Sequence, residues 1–497
     1  MMEAGIVILG LGPAGAELLT REAWEWLNGC KEVYLRTSLH PCVAELPGHL
    51  IIHSFDEVYE RHETLEQVFT EIVETILHLG RQADGVTYAV PGSPMVAEET
   101  STQILARAQA EGIPVRIIHG LSFLEPVCSA LKLDPSPQLV LMDALHLASL
   151  QVPPFPPSCS ALISQIGTRR DASEVKLTLM EAYPDEYPVR LVHAAGTAQE
   201  KVEELPLYAI DRSPHLGLLS TLYVPARENG YAFEDFQQII ARLRAPDGCP
   251  WDREQTHLSL RPYLLQEAYE VLEALDREDP QELKEELGDL LLQIVLHAQI
   301  ATENEDFKMS DVLATISAKL IRRHPHVFGE VQVNSVDNVL TNWEKIKSQE
   351  RKNNNLTSKN GMLDGIPLAL PALTQADQIQ RRAKRVGFDW PNIEPVIAKV
   401  HEELRELQAA KTLEERQAEA GDLLFAAVNL IRWLEIDPET ALRECNLRFR
   451  RRFAYIEAAA AREGKSVDDL SFEQMDALWE QAKDVIEAEA QHGSGEA

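Results

Sequence analysis

The chain has 497 residues, a formal net charge of −32 and 45% hydrophobic residues. That length accommodates two to four domains at the usual ~100–200 residues each, and the hydrophobic content excludes a chain that is disordered throughout. A surface so rich in acid repels duplex nucleic acid and anionic lipid, whereas it favours divalent cations or small anionic ligands that arrive with a cation.

The cysteines and the N-terminus indicate the cellular compartment. The six cysteines are scattered and form no CxxC pair, which argues against a zinc site or a disulfide framework and favours a reducing cytoplasm. The opening MMEAGIVILGLGPAG has no basic segment, and glycines interrupt its apolar run. We therefore expect a buried strand and turn rather than a signal peptide. No segment is long and apolar enough to span a bilayer, so we expect no membrane partner.

The first 225 residues alternate short β-rich runs with helical stretches, which predicts an α/β region with a largely wound sheet. The runs are IVIL, VTYAV, VRII, LVLM, ALISQI, VRLVHA and LSTLYV. The proline-dense segment Pro153–Ser158 predicts a break between two lobes. After Pro225 strand-like runs nearly vanish, and from Phe233 onward the chain shows helical periodicity. The fold class is therefore predicted to be multidomain, with an α/β half followed by an all-α half.

The all-α half contains an internal duplication. The run EELGDLLLQIVLHA resembles AEAGDLLFAAVNLI, and LLQEAYEVLEAL resembles KVHEELRELQAA. A polar, Asn-rich stretch separates the two copies and is the best candidate for a linker. We predict an α/β domain at residues 1–225, a first helical copy at 230–347, a linker at 348–362, a second helical copy at 363–486 and a frayed tail at 487–497.

Acidic residues gather on two consecutive helices of the second copy. Their spacing, three or four residues apart, puts them on one side of each helix: Glu402, Glu403, Glu406, Glu419 and Asp422. Glu403 falls within an apolar stripe, where an uncompensated charge is costly. A Mg²⁺ ion between the helices would compensate that buried charge, and such an ion implies a phosphate substrate. A single ExxE motif is usually a solvated face, but the duplicated pattern favours metal.

The all-α half resembles the MazG family of nucleoside triphosphate pyrophosphohydrolases in its tandem form. Matching runs include LRAPDGCPWDREQTHLSLRPYLLQEAYEVLEAL, GIPLALPAL, IQRRAKRVGFDW, AGDLLFAAVNLIRW and RFRRRF. The family signature, EExxE followed by ExxD, implies Mg²⁺-dependent hydrolysis of nucleoside triphosphates to monophosphate and pyrophosphate. It implies a catalytic role for the five acids and metal ligation by the last four of them: Glu403, Glu406, Glu419 and Asp422. Proteins of this family usually dimerise, so we expect a homodimer.

The first copy departs from the family signature. Gln266 stands where the first Glu belongs, and Leu296 replaces the counterpart of Asn429. The remaining acids of this copy form a degenerate site: Glu267, Glu270, Glu286 and Asp289. A neutral amide is a poorer Mg²⁺ ligand than a carboxylate. We therefore expect the second copy to carry the chemistry and the first to be structural, dimer-forming or weakly active.

The resemblance also implies substrate contacts in the second copy: Lys384, Asn429, Arg448, Arg452 and Trp479. Basic residues there would clamp the polyphosphate. From the residues alone, an Arg-rich helix is equally well explained as a solvated face, and a lone Trp is more often a core residue.

The N-terminal half opens with glycine loops. ILGLGPAG is a formal GxGxxG after a strand, but the next strand ends at Arg36 instead of an acid, which disfavours a dinucleotide site. Residues 4–224 resemble instead the tetrapyrrole (corrin/porphyrin) methylase family, through ILGLGPAGAELLT, YAVPGSPMVAEET and IIHGLSFLEPVCSAL. The arrangement of both halves resembles the bacterial YabN type.

The methylase resemblance implies that S-adenosylmethionine binds between two α/β lobes. The contacts it implies are Gly10, Gly12, Pro13, Gly92, Ser93 and Pro94. The sequence Gly92-Ser93-Pro94 stands where the family usually has Gly-Asp-Pro. Three interpretations of the whole chain therefore remain open. It is a pyrophosphohydrolase, or a methyltransferase acting on a tetrapyrrole or related substrate with a helical accessory or dimerisation module, or a non-catalytic protein whose helical half only assembles dimers. The α/β half could also retain only the fold, since fold does not imply function.

Overall fold

The structure is a computed structural model that describes residues 5–62, 64–228, 232–353, 361 and 363–493. These residues form two compact units that divide between Leu313 and Ala314. The first unit contains two β-sheets and the first part of the first helical copy, and the second contains the rest of that copy, from Ala314 onward, and the second helical copy. In the described part of the chain no strand follows Val224, which confirms the predicted change from α/β to all-α.

The first lobe is built on a five-stranded parallel sheet. Its strands are β1 (Ile6–Gly10), β2 (Glu32–Leu35), β3 (Ile51–Ser54), β4 (Val86–Val90) and β5 (Val115–Ile118). They lie in the order β3-β2-β4-β1-β5. Strands β1 and β4 are buried along their whole length, because helices cover both faces of a parallel sheet. Their sequences are therefore almost entirely apolar, with Thr87 as the polar exception. The helices of this lobe are α1 (Arg21–Gly29), α2 (Asp56–Arg61), α3 (Leu65–Gly80) and α4 (Glu99–Glu111), whereas α5 (Leu124–Leu131) follows β5 and packs against the sheet of the second lobe.

The second lobe has a mixed five-stranded sheet. Its strands are β6 (Leu139–Asp143), β7 (Ser160–Ser164), β8 (Pro188–His193), β9 (Lys201–Pro206) and β10 (Ser220–Val224), with helices α6 (Ala144–Ala148) and α7 (Arg169–Met180). The order is β6-β7-β10-β8-β9. Only β6 and β7 are a parallel pair; the other neighbours are antiparallel.

The predicted lobe boundary at Pro153–Ser158 is wrong. Strand β6 precedes this segment and already pairs with β7 of the second sheet, so the boundary falls between β5 and β6. The prolines lie in the connection from α6 to β7. Proline has no N–H to give to a sheet ladder and is tolerated in such a connection, so the proline run marks a loop within the lobe.

The helical copies are antiparallel helix pairs with flanking helices. The first unit contains α8 (Phe233–Arg244), α9 (Pro250–Glu254), α10 (His257–Arg277) and α11 (Pro280–Glu303), and α12 (Met309–Arg323) crosses the division between the units. The second unit continues with α13 (Pro325–Phe328), α14 (Val336–Asn353), α15 (Ala372–Lys384), α16 (Ile393–Ala409), α17 (Leu413–Trp433), α18 (Pro438–Arg462) and α19 (Phe472–Gly493). Helix α10 packs along α11, and α16 packs along α17.

Local signals explain where the acid-bearing helices begin. The Thr412 side chain accepts from the Glu415 N–H in a capping box at the start of α17, and Asp279 caps α11 ahead of Pro280. Such caps satisfy backbone donors that the first turn leaves free.

The predicted linker and tail differ in part from the structure. Helix α14 continues to Asn353, so residues 348–353 of the predicted linker are helical; residues 354–360 and 362 lie outside the described part. Helix α19 continues to Gly493, so residues 487–493 of the predicted frayed tail are also helical; residues 494–497 are not described. Among the described helices, none combines the length and apolarity that a membrane crossing requires.

Candidate metal and nucleotide site

The second copy brings three acids together between α16 and α17. One carboxylate oxygen from each of Glu403, Glu419 and Asp422 lies within 4.8 Å of the others. Helix α16 supplies Glu403, and α17 supplies the other two from positions three apart on one side. Glu403 is only 5% exposed, so its charge needs a nearby counter-charge. All three side chains offer the hard oxygen donors that Mg²⁺ prefers, and the donor set fits that ion.

The other two predicted acids lie outside this group of three. Partial burial raises the pKa of Glu419, and the negative charge of Glu406 raises it further, so Glu406 is close to the group without belonging to it. Glu402 is exposed and accepts a hydrogen bond from Lys399 at 2.8 Å. That bond holds the pKa of Glu402 below its usual value.

Lys399 is a site residue that the sequence analysis missed. Its Nζ lies 2.7 Å from Glu403 Oε1 and 2.8 Å from Glu402 Oε1, and hydrogen bonds to these two carboxylates raise the pKa of Lys399. The ammonium therefore supplies positive charge to the most buried acid of the group. The Lys–Glu spacing of four residues is a sequence signal that could have pointed to this pair.

The first copy also groups three acids, between α10 and α11. Oxygens of Glu267, Glu270 and Glu286 lie within 4.8 Å of one another. Burial, a hydrogen bond with Glu270 and the charges of Asp289 and Glu286 raise the pKa of Glu267 to about 7. Asp289 does not belong to the group of three, although its charge reaches it. The position that corresponds to Lys399 is Tyr263, so this group has no cation of its own at that position.

Gln266 is one of the positions at which the first copy departs from the acid signature. Its Nε2 donates to Glu270 Oε1 at 3.1 Å, so the amide contacts an acid of the same helix. The corresponding Glu402 contacts Lys399 instead. The exchange of Glu for Gln thus accompanies the loss of the lysine.

Two predicted substrate residues lie near one buried ion pair: Asn429 contacts the Arg432 guanidinium, and Lys384 lies near the Asp389 carboxylate. Arg432 is 5% exposed; its Nη1 and Nη2 donate to the Asp389 carboxylate at 3.1 and 2.7 Å. Its Nε and Nη2 donate to Asn429 Oδ1 at 3.1 and 2.7 Å. Trp433 Nε1 donates to Asp389 Oδ1 at 3.2 Å, and Lys384 Nζ lies 4.0 Å from Asp389 Oδ2. Although burial favours the neutral acid, hydrogen bonds from Arg432 and other donors lower the pKa of Asp389.

The remaining predicted substrate residues lie on α18 and α19. The Arg452 guanidinium lies 5.4 Å from the centroid of the Trp479 ring, and the Phe449 ring lies 4.9 Å from Trp479. Arg448 is exposed, and its Nη1 lies 3.6 Å from the Glu444 carboxylate. A guanidinium over an indole offers both a cation and an aromatic face, which suits a phosphate and a base.

In the first lobe the two glycine loops meet at the carboxyl ends of β1 and β4. Gly12 N–H donates to Gly92 O at 3.1 Å, and Gly92 N–H donates to Gly12 O at 2.7 Å. Buried His40 lies with Nε2 2.9 Å from Gly12 O. A Cβ at Gly10 would lie 2.6 Å from Gly120 N and 2.6 Å from Gly92 O. Open α/β sheets bind ligands at this end of their strands.

The other side chains named for a cofactor are packed into the loops. Pro13, Ser93 and Pro94 are buried. Arg36 follows β2 and forms an ion pair with buried Glu98. The side chains of Pro13, Ser93 and Pro94 are therefore largely covered by the protein, and the charge of Arg36 is compensated by Glu98.

Two family models match the chain. The MazG nucleotide pyrophosphohydrolase domain matches residues 255–328, and the Tetrapyrrole (Corrin/Porphyrin) Methylases match residues 5–211. "Uncharacterized protein YabN" of Bacillus subtilis (strain 168) is 41% identical over 493 residues, which cover 97% of this chain and 99% of that protein. The nucleoside triphosphate pyrophosphohydrolase/pyrophosphatase MazG of Thermotoga maritima is 48% identical over 257 residues, 52% of this chain and 98% of that protein. The chain belongs to the MazG family.

The MazG similarity extends over more than one copy, because the 257 aligned residues of the Thermotoga maritima protein exceed either copy alone. The MazG family model itself falls on the first copy, the one with Gln266 in its signature. Among solved structures, the uroporphyrin-III-C-methyltransferase from Thermus thermophilus aligns with 45% of this chain and 93% of that chain, at 21% identity and a TM-score of 0.34.

Proposed function

We propose that the second MazG copy hydrolyses nucleoside triphosphates to nucleoside monophosphate and pyrophosphate with a Mg²⁺ ion held by Glu403, Glu419 and Asp422. The observation that carries the proposal is the buried Glu403 carboxylate, which faces two acids of the neighbouring helix. The similarity to the Thermotoga maritima pyrophosphohydrolase supports the substrate class.

The residues divide the chemical work between them. A divalent cation at this site would neutralise charge on the phosphates and make water more acidic. Glu406 stands beside the group of three, and we assign it the acceptance of a proton from the attacking water. Lys399 already lies at the cluster and offers its ammonium to a phosphate oxygen. Arg452, stacked on Trp479, offers a second cation beside an aromatic surface.

A panel assay tests this proposal. The full chain is incubated with ribo- and deoxynucleoside triphosphates, with and without Mg²⁺, and pyrophosphate is measured. Loss of one ligand to the ion should lower the rate about 100-fold or more in Glu403→Gln. The matched variant Glu267→Gln, at the same position of the first copy, should change the rate by less than about threefold. A Glu403→Gln variant with full activity would overturn the assignment, and a strong loss in Glu267→Gln would move the chemistry to the first copy.

A second candidate function is S-adenosylmethionine-dependent methylation by the α/β half. It is favoured by the methylase model over residues 5–211 and by the backbone bridge between Gly12 and Gly92. Calorimetry of the full chain with S-adenosylmethionine tests it, since absence of binding would remove this function and leave the hydrolase proposal intact.

We also propose a cytoplasmic homodimer in which each chain has an α/β domain at residues 1–225 and helical copies at residues 230–347 and 363–486. Three exposed apolar residues follow one side of α11, at Leu287, Leu291 and Ile294, with 49%, 36% and 42% of their surface exposed. Such a stripe, with spacings of four and three residues, suits packing against another helix. Light scattering should give twice the 55.7 kDa mass of one chain; a monomer at all concentrations would refute the dimer.

A further inference from the structure

The Arg432 side chain is 3% exposed and carries only hydrogen-bond donors. A buried guanidinium is tolerated when acceptors pair its N–H groups. Here Asp389 takes two of the hydrogen bonds and Asn429 Oδ1 takes the other two. Arg432 thus links α17 to the segment before α16 that contains Asp389.

This pairing fixes the orientation of the Asn429 amide. Only the oxygen can face Arg432, because the NH₂ group would place donor against donor. The Nδ2 group must then point away from the guanidinium, and within the described residues no partner for it is found. Asn429 is partly exposed, so a ligand can reach this donor.

The position of Asn429 on α17 suits contact with the nucleoside part of a substrate. It lies on the same side of the helix as Asp422 and seven residues further on, which is ~10.5 Å along the axis. A nucleotide whose phosphates lie at the acids reaches Asn429 when its sugar and base extend along α17 in this direction.

The first copy has neither group. Leu296 and Gln299 occupy the positions of Asn429 and Arg432, Leu296 is buried in the core of that copy, and Gln299 donates to Glu303 at 3.0 Å. The amide and its guanidinium partner therefore belong to the second copy only, which is the copy with the complete acid signature.

We propose that Arg432 is a positioning residue that turns the Asn429 amide so that Nδ2 donates to a hydrogen-bond acceptor on the nucleoside moiety of the substrate. This inference rests on the proposed function of the second copy. It makes Asn429 a residue that selects the base or sugar, and Arg432 acts only through Asn429.

The decisive variant is Asn429→Asp. It keeps an acceptor for Arg432, but it replaces the N–H donor with a carboxylate oxygen. For the full chain we expect KM, and the Kd of the α,β-imido analogue of the best substrate measured by calorimetry with Mg²⁺, to rise about tenfold. The kcat should stay within about threefold, because the contact is remote from the reacting phosphates. The order of preference among the four bases should also change.

A double-mutant cycle separates positioning from mere structure. Arg432→Lys removes the planar fork and frees the amide, so its KM should rise several-fold. The double variant should be no worse than Asn429→Asp alone. Asn338→Asp, the same change at an exposed residue, serves as the control and should bind like the wild type.

The outcomes are distinct. Unchanged nucleotide binding in Asn429→Asp, or effects of the two substitutions that simply multiply, would overturn the inference. If Arg432→Lys fails to fold, the binding and base preference of Asn429→Asp, and of Asn429→Leu, which carries the residue of the first copy, still decide it. If the wild type binds the analogue without hydrolysing any triphosphate, the proposed hydrolysis falls and the positioning role is still tested by binding. If no nucleotide binds at all, both are refuted.

Discussion

Removal of Lys399 should strengthen metal binding while it weakens hydrolysis. The ammonium lies 2.7 Å from Glu403 Oε1 and competes with a divalent cation for the most buried acid. Glu403 is buried but the Lys399 side chain is 39% exposed, so the pair is worth less than a fully buried one, about 1–2 kcal/mol. In Lys399→Met that competition disappears, and the affinity for Mn²⁺ or Mg²⁺ without nucleotide should rise roughly 5- to 30-fold.

Mn²⁺ titration of the full chain by calorimetry or electron paramagnetic resonance measures this effect. The three first-copy acids are changed to Gln in all samples, so that only the second copy contributes: Glu267, Glu270 and Glu286. Lys465→Met is the control, because Lys465 Nζ lies 2.8 Å from Glu463 Oε2 in a similar ion pair whose two residues are both exposed. Equal or weaker Mn²⁺ binding in Lys399→Met would refute the idea that the ammonium and the ion share Glu403. Hydrolysis should fall, because the phosphate loses a cation.

Three further results are expected. The pKa of Glu267 is raised to about 7, so this group stabilises the folded metal-free protein fully at pH below ~4, and the contribution is lost as pH rises through ~7. The affinity of the first copy for Mn²⁺ should therefore increase from pH 6 to 8, as Glu267 loses its proton. The first copy is titrated in a Glu403→Gln background, and a flat profile would contradict this expectation. Arg432→Met leaves the half-buried Asp389 without its guanidinium partner and should destabilise the second copy by ~3–5 kcal/mol in urea unfolding, with partial recovery when Asp389→Asn is added. Gly10→Ala places a Cβ 2.6 Å from two backbone atoms and should destabilise the first lobe by ~1–3 kcal/mol, seen as faster proteolysis of that lobe; a variant as resistant as the wild type would argue against the close packing.

The elements that the sequence predicted well are those with a strong local pattern. Buried strands such as β1 and β4 and the paired helices α16 and α17 follow directly from apolar runs and helical spacing. Strands β3 and β9 were missed because both are sheet edges. None of their residues is buried, so IIHS and KVEELP carry neither the continuous apolar run of a central strand nor a clear alternation.

The candidate site divides in the same way. Spacing alone predicts that Glu419 and Asp422 share a helix side, and the structure brings both to Glu403. The link between Arg432 and Asp389 joins residues 43 apart in the chain, and no local pattern specifies such a pairing. The roles assigned to Arg448 and Trp479 remain predictions that need a bound nucleotide.

The close packing of glycines in the first lobe affects how mutational tolerance there should be interpreted. The end of β1 and the loops after β4 and β5 meet at Gly10, Gly92 and Gly120, where a Cβ at Gly120 would also collide with Gly92 O. A single methyl group at Gly10 or Gly120 would force neighbouring chain segments apart. Glycine at these two positions is therefore required for the packing of the lobe, whether or not the lobe transfers a methyl group. Only substitutions that keep this glycine packing intact can distinguish an active methylase from a fold retained without methylase activity.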